Sequence, residues 1–457
     1  MHMDNFEQTP QRQPNPRRRK RDPKRIFMES YLPVILFGGV LLLIIVAIIS
    51  GCISNRQRQE DALKESLAQL EKDEERKAAM RQEADICIAE AKAVAATYDF
   101  EGAIAVLDAF EGNIFDYDDM LQLRDSYKHT MENLVEFTPD QVVNLSIPLL
   151  IADADRAFAD KNYGGGYKKN FITTEEFYNL LVELYNNGYV LVNMDDLVAE
   201  SGSAGAITYS TKTVALPEGK KPLMLTETQV NYYTYMVDPD NDGVPDKNGA
   251  GFASKLILQG DTFLNEMVNA DGEIVTGNFD IVPILEDFLL THPDFSYQGA
   301  RAILAVTGYN GIFGYRGDTL EDVVPLLEAL RSRGYTIAFH SFANTDYKAS
   351  NLVEITTDVE RWEKRIIPTL GETNMLVYAR TTDIAAPGTY SGDKFNLLQS
   401  HGFRYYVGYC TNNQPWFVCE KNYVRQGRIP VSAINMKDNP SLYEGIFDPT
   451  NVLVETR

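Results

Sequence analysis

Cysteine is nearly absent from this chain, with four in 457 residues, too few to build the fold as a disulfide framework, so a buried core has to hold it. Cys410 and Cys419 flank "TNNQPWFV" closely enough to bridge a hairpin, either as a disulfide after export or as two small buried residues near strand ends. Basic charge is also short: 43 Lys and Arg stand against 65 Asp and Glu, a formal net charge of −22. The first 54 residues hold eight of the basic and four of the acidic groups, leaving 35 against 61 for the rest. Such a surface repels nucleic acid and anionic polymers, so no nucleic-acid partner is expected.

Charge is missing altogether from "YLPVILFGGVLLLIIVAIISG", whose length of about twenty residues is enough to cross a hydrocarbon layer of roughly 30 Å. Arg12, Arg17, Arg18, Arg19, Lys20, Arg21, Lys24 and Arg25 precede it, and the positive-inside bias keeps that end in the cytoplasm. The expected layout is a cytoplasmic basic tail over 1–30, a single transmembrane helix over 31–53, a helical stalk and helix hairpin over 54–136, and a barrel over 138–457 outside the cell membrane. A lipoprotein-type signal is the competing reading, because small residues precede Cys52 in "IISGC".

From residue 55 to about 136 the chain is rich in Ala, Glu, Lys and Leu and reads as helix. Leu63, Leu67 and Leu70 keep coiled-coil spacing before charges take over the seam. Beyond Thr138 helix and strand alternate. "LLVELYNNGYVLVN", "LLEALRSRGYTIAFH" and "NLLQSHGFRYYVG" each run from an amphipathic helix through a Gly into an apolar strand. Gly188, Gly334 and Gly402 fall where a helix end calls for a left-handed residue, and Thr173 with Glu176 makes a capping box. "LSIPLLIA", "KKPLMLTET", "GARAILAVTG", "NMLVYAR" and "GRIPVSAI" add further strands. Seven or eight strands with helices between them predict an α/β fold of irregular (β/α) barrel type, with function at the carboxyl ends of the strands.

Those ends carry "LTETQVNYY", "AVTGYNGIFGYR", "AFHSFAN" and "VYARTTD". Over roughly 145–435 the chain resembles the polysaccharide deacetylases of the carbohydrate esterase type, in which T/S-F-D-D follows one strand and H-S/T-x-x-H a later one. The resemblance implies an irregular (β/α)7 barrel, a first Asp as general base, and a divalent metal held by the second Asp and both His. Carried over, Thr228 and Gln229 stand at the two Asp positions, Asn344 at the second His, and His340 with Ser341 is retained. "YART" replaces the later Pro-rich element. One imidazole and two neutral amides make a weak, vestigial transition-metal site, and neither Thr228 nor Gln229 can take a proton from water. Glu227 is the nearest carboxylate, but strand alternation turns it to the face opposite Thr228 unless a bulge intervenes. The expectation is thus a degenerate deacetylase-type barrel binding a cell-envelope glycan or a partner protein. An active N-deacetylase with an atypical site, or a scaffold working through its stalk, are the alternatives.

"VDPDNDGVPDKNGAG" places Asp238, Asp240, Asp242 and Asp246 in a run that matches the first half of a calcium loop, or equally an acidic turn. Tyr232, Tyr233, Tyr309, Tyr409 and Trp416, beside Arg316, are candidate glycan contacts, since flat rings with a few polar groups make a sugar platform. The same rings also serve as ordinary barrel packing.

Overall fold

The structure, a computed structural model, describes residues 23–203, 207–238 and 251–455. Its contacts group into two compact units, one ending at Glu83 and the other running from Ala84. In the first, helix α1 (Leu32–Ala96) begins with an apolar stretch whose side chains, from Val34 to Ile53, are exposed. Among the described residues it is the one helix long and apolar enough to cross a membrane. Leu63, Leu67 and Leu70 are exposed as well.

The second unit opens with a small helical core. Ala84, Cys87 and Ala91 at the end of α1 pack with Ala103 and Leu107 of α2 (Phe100–Asp108) and with Met120 and Tyr127 of α3 (Asp118–Glu132). Tyr98 joins this hairpin to the barrel: its hydroxyl donates to the Asp294 carbonyl at 2.6 Å, and its ring stacks on Tyr297.

Seven parallel strands then close on themselves in chain order: β1 (Val143–Pro148), β2 (Lys221–Thr228), β3 (Ile303–Val306), β4 (Thr336–Phe339), β5 (Met375–Val377), β6 (Tyr405–Tyr409) and β7 (Tyr423–Pro430). Each pairs with the next, and β7 returns to β1 through Ile429↔Leu145 and Pro430↔Ser146. This is the predicted (β/α)7 barrel. Helices α4 (Thr174–Asn186), α5 (Ile281–Thr291), α6 (Val324–Arg333), α7 (Leu352–Arg365) and α8 (Asp393–Ser400) cover its outside. Two irregularities stand out. The strand Tyr189–Leu191 shares an edge of β2 with β3, pairing with Lys221 to Leu223 while β3 takes Thr226 to Thr228. Between β6 and β7 there is an antiparallel strand, Phe417–Glu420, instead of a helix.

The local reasons match the sequence. The Thr173 hydroxyl accepts from the Glu176 amide and the Glu176 carboxylate from the Thr173 amide, closing the capping box on α4. Gly334 ends α6 with φ +104° and a backbone approach to Gly299 that leaves no room for a Cβ; Gly188 and Gly402 repeat the left-handed turn. Cys410 and Cys419 are free thiols, and burial pushes the Cys410 thiol up to about 12.

Candidate functional site

Strand alternation sends one residue in two into the barrel, and the inward set is layered. Met224, Ala305, Ala338, Val377, Val407 and Val424 pack together as an apolar group. Beside it is a polar group with no charge: Asn144 donates to the Gln426 side-chain oxygen at 2.9 Å and accepts from the Thr226 hydroxyl at 2.8 Å, all three buried. Next come Ser146, Thr228, His340 and Arg428, which line a cavity of about 460 Å³ at the carboxyl ends, together with Gln229, Arg380, Tyr409, Phe171 and others. That volume lies in the range of small-molecule sites.

Four sequence-predicted residues therefore meet: Thr228, Gln229, His340 and Tyr409 share the cavity. Asn344 is not among its lining residues; it is half-buried, at φ +53°, with its buried side-chain oxygen unpartnered. Gln229, Arg380 and Thr381 also hold positive φ at the mouth, the kind of backbone strain found at binding sites. His340 Nδ1 lies 2.8 Å from the Val377 carbonyl, which fixes the proton on that nitrogen and leaves Nε2 as an acceptor. Burial, and then the Arg428 charge, push the imidazole down to about 3, so it is neutral at any ordinary pH. Among the described residues no three His, Cys, Asp or Glu side chains cluster as metal ligands. One imidazole beside a guanidinium, with Gln229 as the remaining candidate ligand in the cavity, does not fit a divalent metal. Of the proposed calcium loop only Asp238 is described, and it is buried; Asp240, Asp242 and Asp246 lie outside the described residues.

Two residues that sequence reasoning passed over organise the site. Arg428, on β7, is 1% exposed. Its Nε donates to Ser146 Oγ at 3.1 Å, Nη1 to the Val407 and Gly408 carbonyls at 2.9 and 2.8 Å, and Nη2 to the Tyr378 carbonyl at 2.5 Å. Asp358, on α7, takes four hydrogen bonds from the loop after His340: from the Phe342 amide at 2.6 Å, the Ala343 amide at 3.1 Å, the Thr345 hydroxyl at 2.6 Å and the Tyr347 hydroxyl at 2.8 Å.

Glu227 faces outward, as alternation requires, since the ladder Ser146↔Thr226, Ile147↔Glu227, Pro148↔Thr228 runs without a bulge. It is buried against Asp280 at the start of α5, whose carboxylate also accepts from the Leu150 amide at 3.0 Å. Burial first, and then the Asp280 charge and the hydrogen bond between the two acids, raise Glu227 well above the usual carboxyl range. No other protein group satisfies the Glu227 oxygens, so a proton held between the two acids keeps this pair in the core. In the unfolded chain Glu227 ionises near its ordinary pKa of about 4.3. The folded state binds the proton more tightly, and stability falls as pH rises from there through the folded pKa. Glu227→Gln is expected to remove that part of the decline while keeping a donor for Asp280. Thermal melts across pH check it, and parallel curves for the two proteins would refute it.

The predicted aromatic platform divides. Tyr232 is core, its hydroxyl accepting from Asn265 at 3.0 Å, and Arg316 is spent on Thr234 Oγ1 and the Tyr232 carbonyl at 2.8 and 2.6 Å. Trp416 packs on Arg425, whose guanidinium is 5.0 Å from the ring, and is not among the cavity's lining residues. Tyr233 and Tyr309 instead belong to a continuous file. From exposed Tyr309 it passes to Tyr233 at 6.3 Å, Tyr235 at 5.7 Å, Tyr163 at 5.4 Å, Tyr167 at 5.9 Å and Phe171 at 5.5 Å. Phe171 lines the cavity. The signal for its far half was "NYGGGY", where two tyrosines lie one helical turn apart.

A closed (β/α)7 barrel with a polar, carboxylate-free mouth is thus the class that fold and site define. No family model and no curated protein matches the chain. Among solved structures it is similar to a Streptococcus pyogenes deacetylase, PplD, in complex with acetate, at 11% identity over 69% of this chain and 99% of that one, TM-score 0.33. It is similar to IcaB from Ammonifex degensii at 14% identity over 65% and 94%, TM-score 0.31. A polysaccharide deacetylase from Bacillus cereus, BC0361, is similar at 11% identity over 65% and 66%, TM-score 0.33.

Proposed function

We propose that this protein is a single-pass membrane protein whose extracytoplasmic barrel binds a cell-envelope glycan without hydrolysing it. The observation that carries the reading is the aromatic file running from exposed Tyr309 to Phe171 in the cavity wall. Tyr309, Tyr235 and Tyr163 are exposed and offer ring surface to sugar residues, with buried Tyr233 and Tyr167 backing them, while Thr228, Gln229, Asn170 and Asn435 in the cavity supply neutral hydrogen-bond partners. Hydrolysis of an N-acetyl group needs a base and a metal-activated water. Thr228 and Gln229 supply no base, and the buried Arg428 charge beside His340 disfavours a second cation there.

The test uses the full chain purified in detergent. Elemental analysis is expected to find no stoichiometric zinc, cobalt or nickel, and incubation with N-acetylated oligosaccharide is expected to release no acetate. The same oligosaccharide should bind, and Tyr309→Ala should weaken it by about threefold to tenfold, the loss of one stacking face. One transition metal per chain that disappears in His340→Ala, together with acetate release, would overturn the reading. Calcium present in both proteins would instead assign the Asp238 loop.

A further inference from the structure

We propose that the barrel mouth is an anion site, built around the Arg428 guanidinium to take the single carboxylate of a uronic-acid residue in the bound glycan. The sugar part of this rests on the glycan-binding reading; the charge does not. Arg428 is nine-tenths and more buried, yet among the described residues it makes no ion pair. The carboxylate nearest in its electrostatics, Asp383, is already committed to Arg425 at 3.1 Å. Burial lowers the guanidinium to about 10, which still leaves it charged at neutral pH. A buried charge is tolerated when it is hydrogen-bonded and paired. Four of the five N–H groups of Arg428 have neutral acceptors, so the hydrogen-bonding condition is met and the pairing is not.

The cavity it lines contains Arg380 as well and no Asp or Glu, in a chain of net charge −22. Arg380 is exposed and reaches over the mouth to the Asn344 carbonyl, 3.0 Å from its Nε. It has no carboxylate partner among the described residues. The remaining Nη2 proton of Arg428 and the Arg380 fork are the donors a carboxylate takes up, with bidentate geometry open to it at Arg380. The neutral His340 adds no charge of its own. The general field of the acidic surface repels long polyanions, so the fit is to one carboxylate entering the mouth rather than to a continuous polyuronate.

The experiment is calorimetric titration of the full chain in detergent with a disaccharide ending in glucuronate, its neutral glucose counterpart, sodium acetate, and a neutral N-acetylated oligosaccharide. The glucuronate sugar should bind at least about thirtyfold more tightly than the glucose form, the scale of a buried charge pair. Arg380→Gln, at an exposed position, should weaken it by about fivefold. Arg428→Lys, which keeps the charge and loses the remaining Nη2 proton, should weaken it further. Equal affinity for the charged and neutral disaccharides overturns the inference, as does indifference to Arg380→Gln. Acetate binding as tightly as the disaccharide overturns the sugar assignment. Binding of the N-acetylated oligosaccharide without the glucuronate sugar would sink the anion site and leave the glycan reading standing. If neither binds, both fall.

Discussion

Arg428→Ala should lower the folding stability of the barrel by about 2–4 kcal/mol, because four buried hydrogen bonds, to three carbonyls and a hydroxyl, are lost at once, with the Val407 carbonyl keeping a second donor in the Tyr378 amide. The acceptors come from β1, β6 and the turn after β5, so one side chain on β7 ties together strands that close the barrel. Two effects oppose each other. Removing an unpaired buried charge relieves a desolvation burden, whereas orphaning each carbonyl costs about 1–3 kcal/mol, less where water can enter from the open mouth. The Gly408 and Tyr378 carbonyls and the Ser146 hydroxyl, set against one already hydrogen-bonded charge, make the loss dominate. Chemical denaturation measures it, and Arg428→Met is the sharper control. A Met variant more stable than the parent would mean that the charge burden had been the larger quantity.

Asp358→Ala should cost about 3–5 kcal/mol locally, since four hydrogen bonds to one carboxylate disappear together. The effect should be concentrated in the loop from Phe342 to Tyr347. That loop also holds the β3 end, because the Gly308 and Tyr309 amides both donate to the Phe342 carbonyl at 3.0 and 2.7 Å. Hydrogen exchange is the appropriate readout. The amides of Phe342 and Ala343 should lose protection by a factor of about a hundred or more, following the local free energy, and glycan binding should fall with them through Tyr309. Unchanged exchange at those two amides would show that the carboxylate is dispensable.

How much of this was legible in the sequence depends on the range of the interaction. The strands, their helix-Gly-strand rhythm and the outward turn of Glu227 follow from periods of two and 3.6, and the structure has them. Thr228, Gln229 and His340 met at the mouth because parallel strands bring their carboxyl ends together. Arg428 stood in plain view in "YVRQGRIP", where two arginines and a glutamine interrupt a strand that is buried throughout. Its partner Ser146 is 282 residues away, however, and only barrel closure joins them. Asp358 left a similar trace. It sits at helical spacing between Ile355 and Trp362, on the face of α7 that is buried, and an acid on an apolar stripe signals a partner without naming it. Tyr232 shows the opposite limit: consecutive tyrosines in a loop carry no fixed period, and both Tyr232 and Tyr233 are in the core, the first held there by Asn265 and Asp280 rather than placed by spacing.

The locked imidazole at the mouth makes His340 a spectator to acidification. With its own protonation displaced to about 3, a drift from neutral to mildly acid pH leaves the charge on this imidazole unaltered. A carboxylate guest, with an ordinary pKa near 4, would discharge before the host did. Loss of grip on acidification would then be a property of the sugar, and its midpoint would follow whichever uronate was offered.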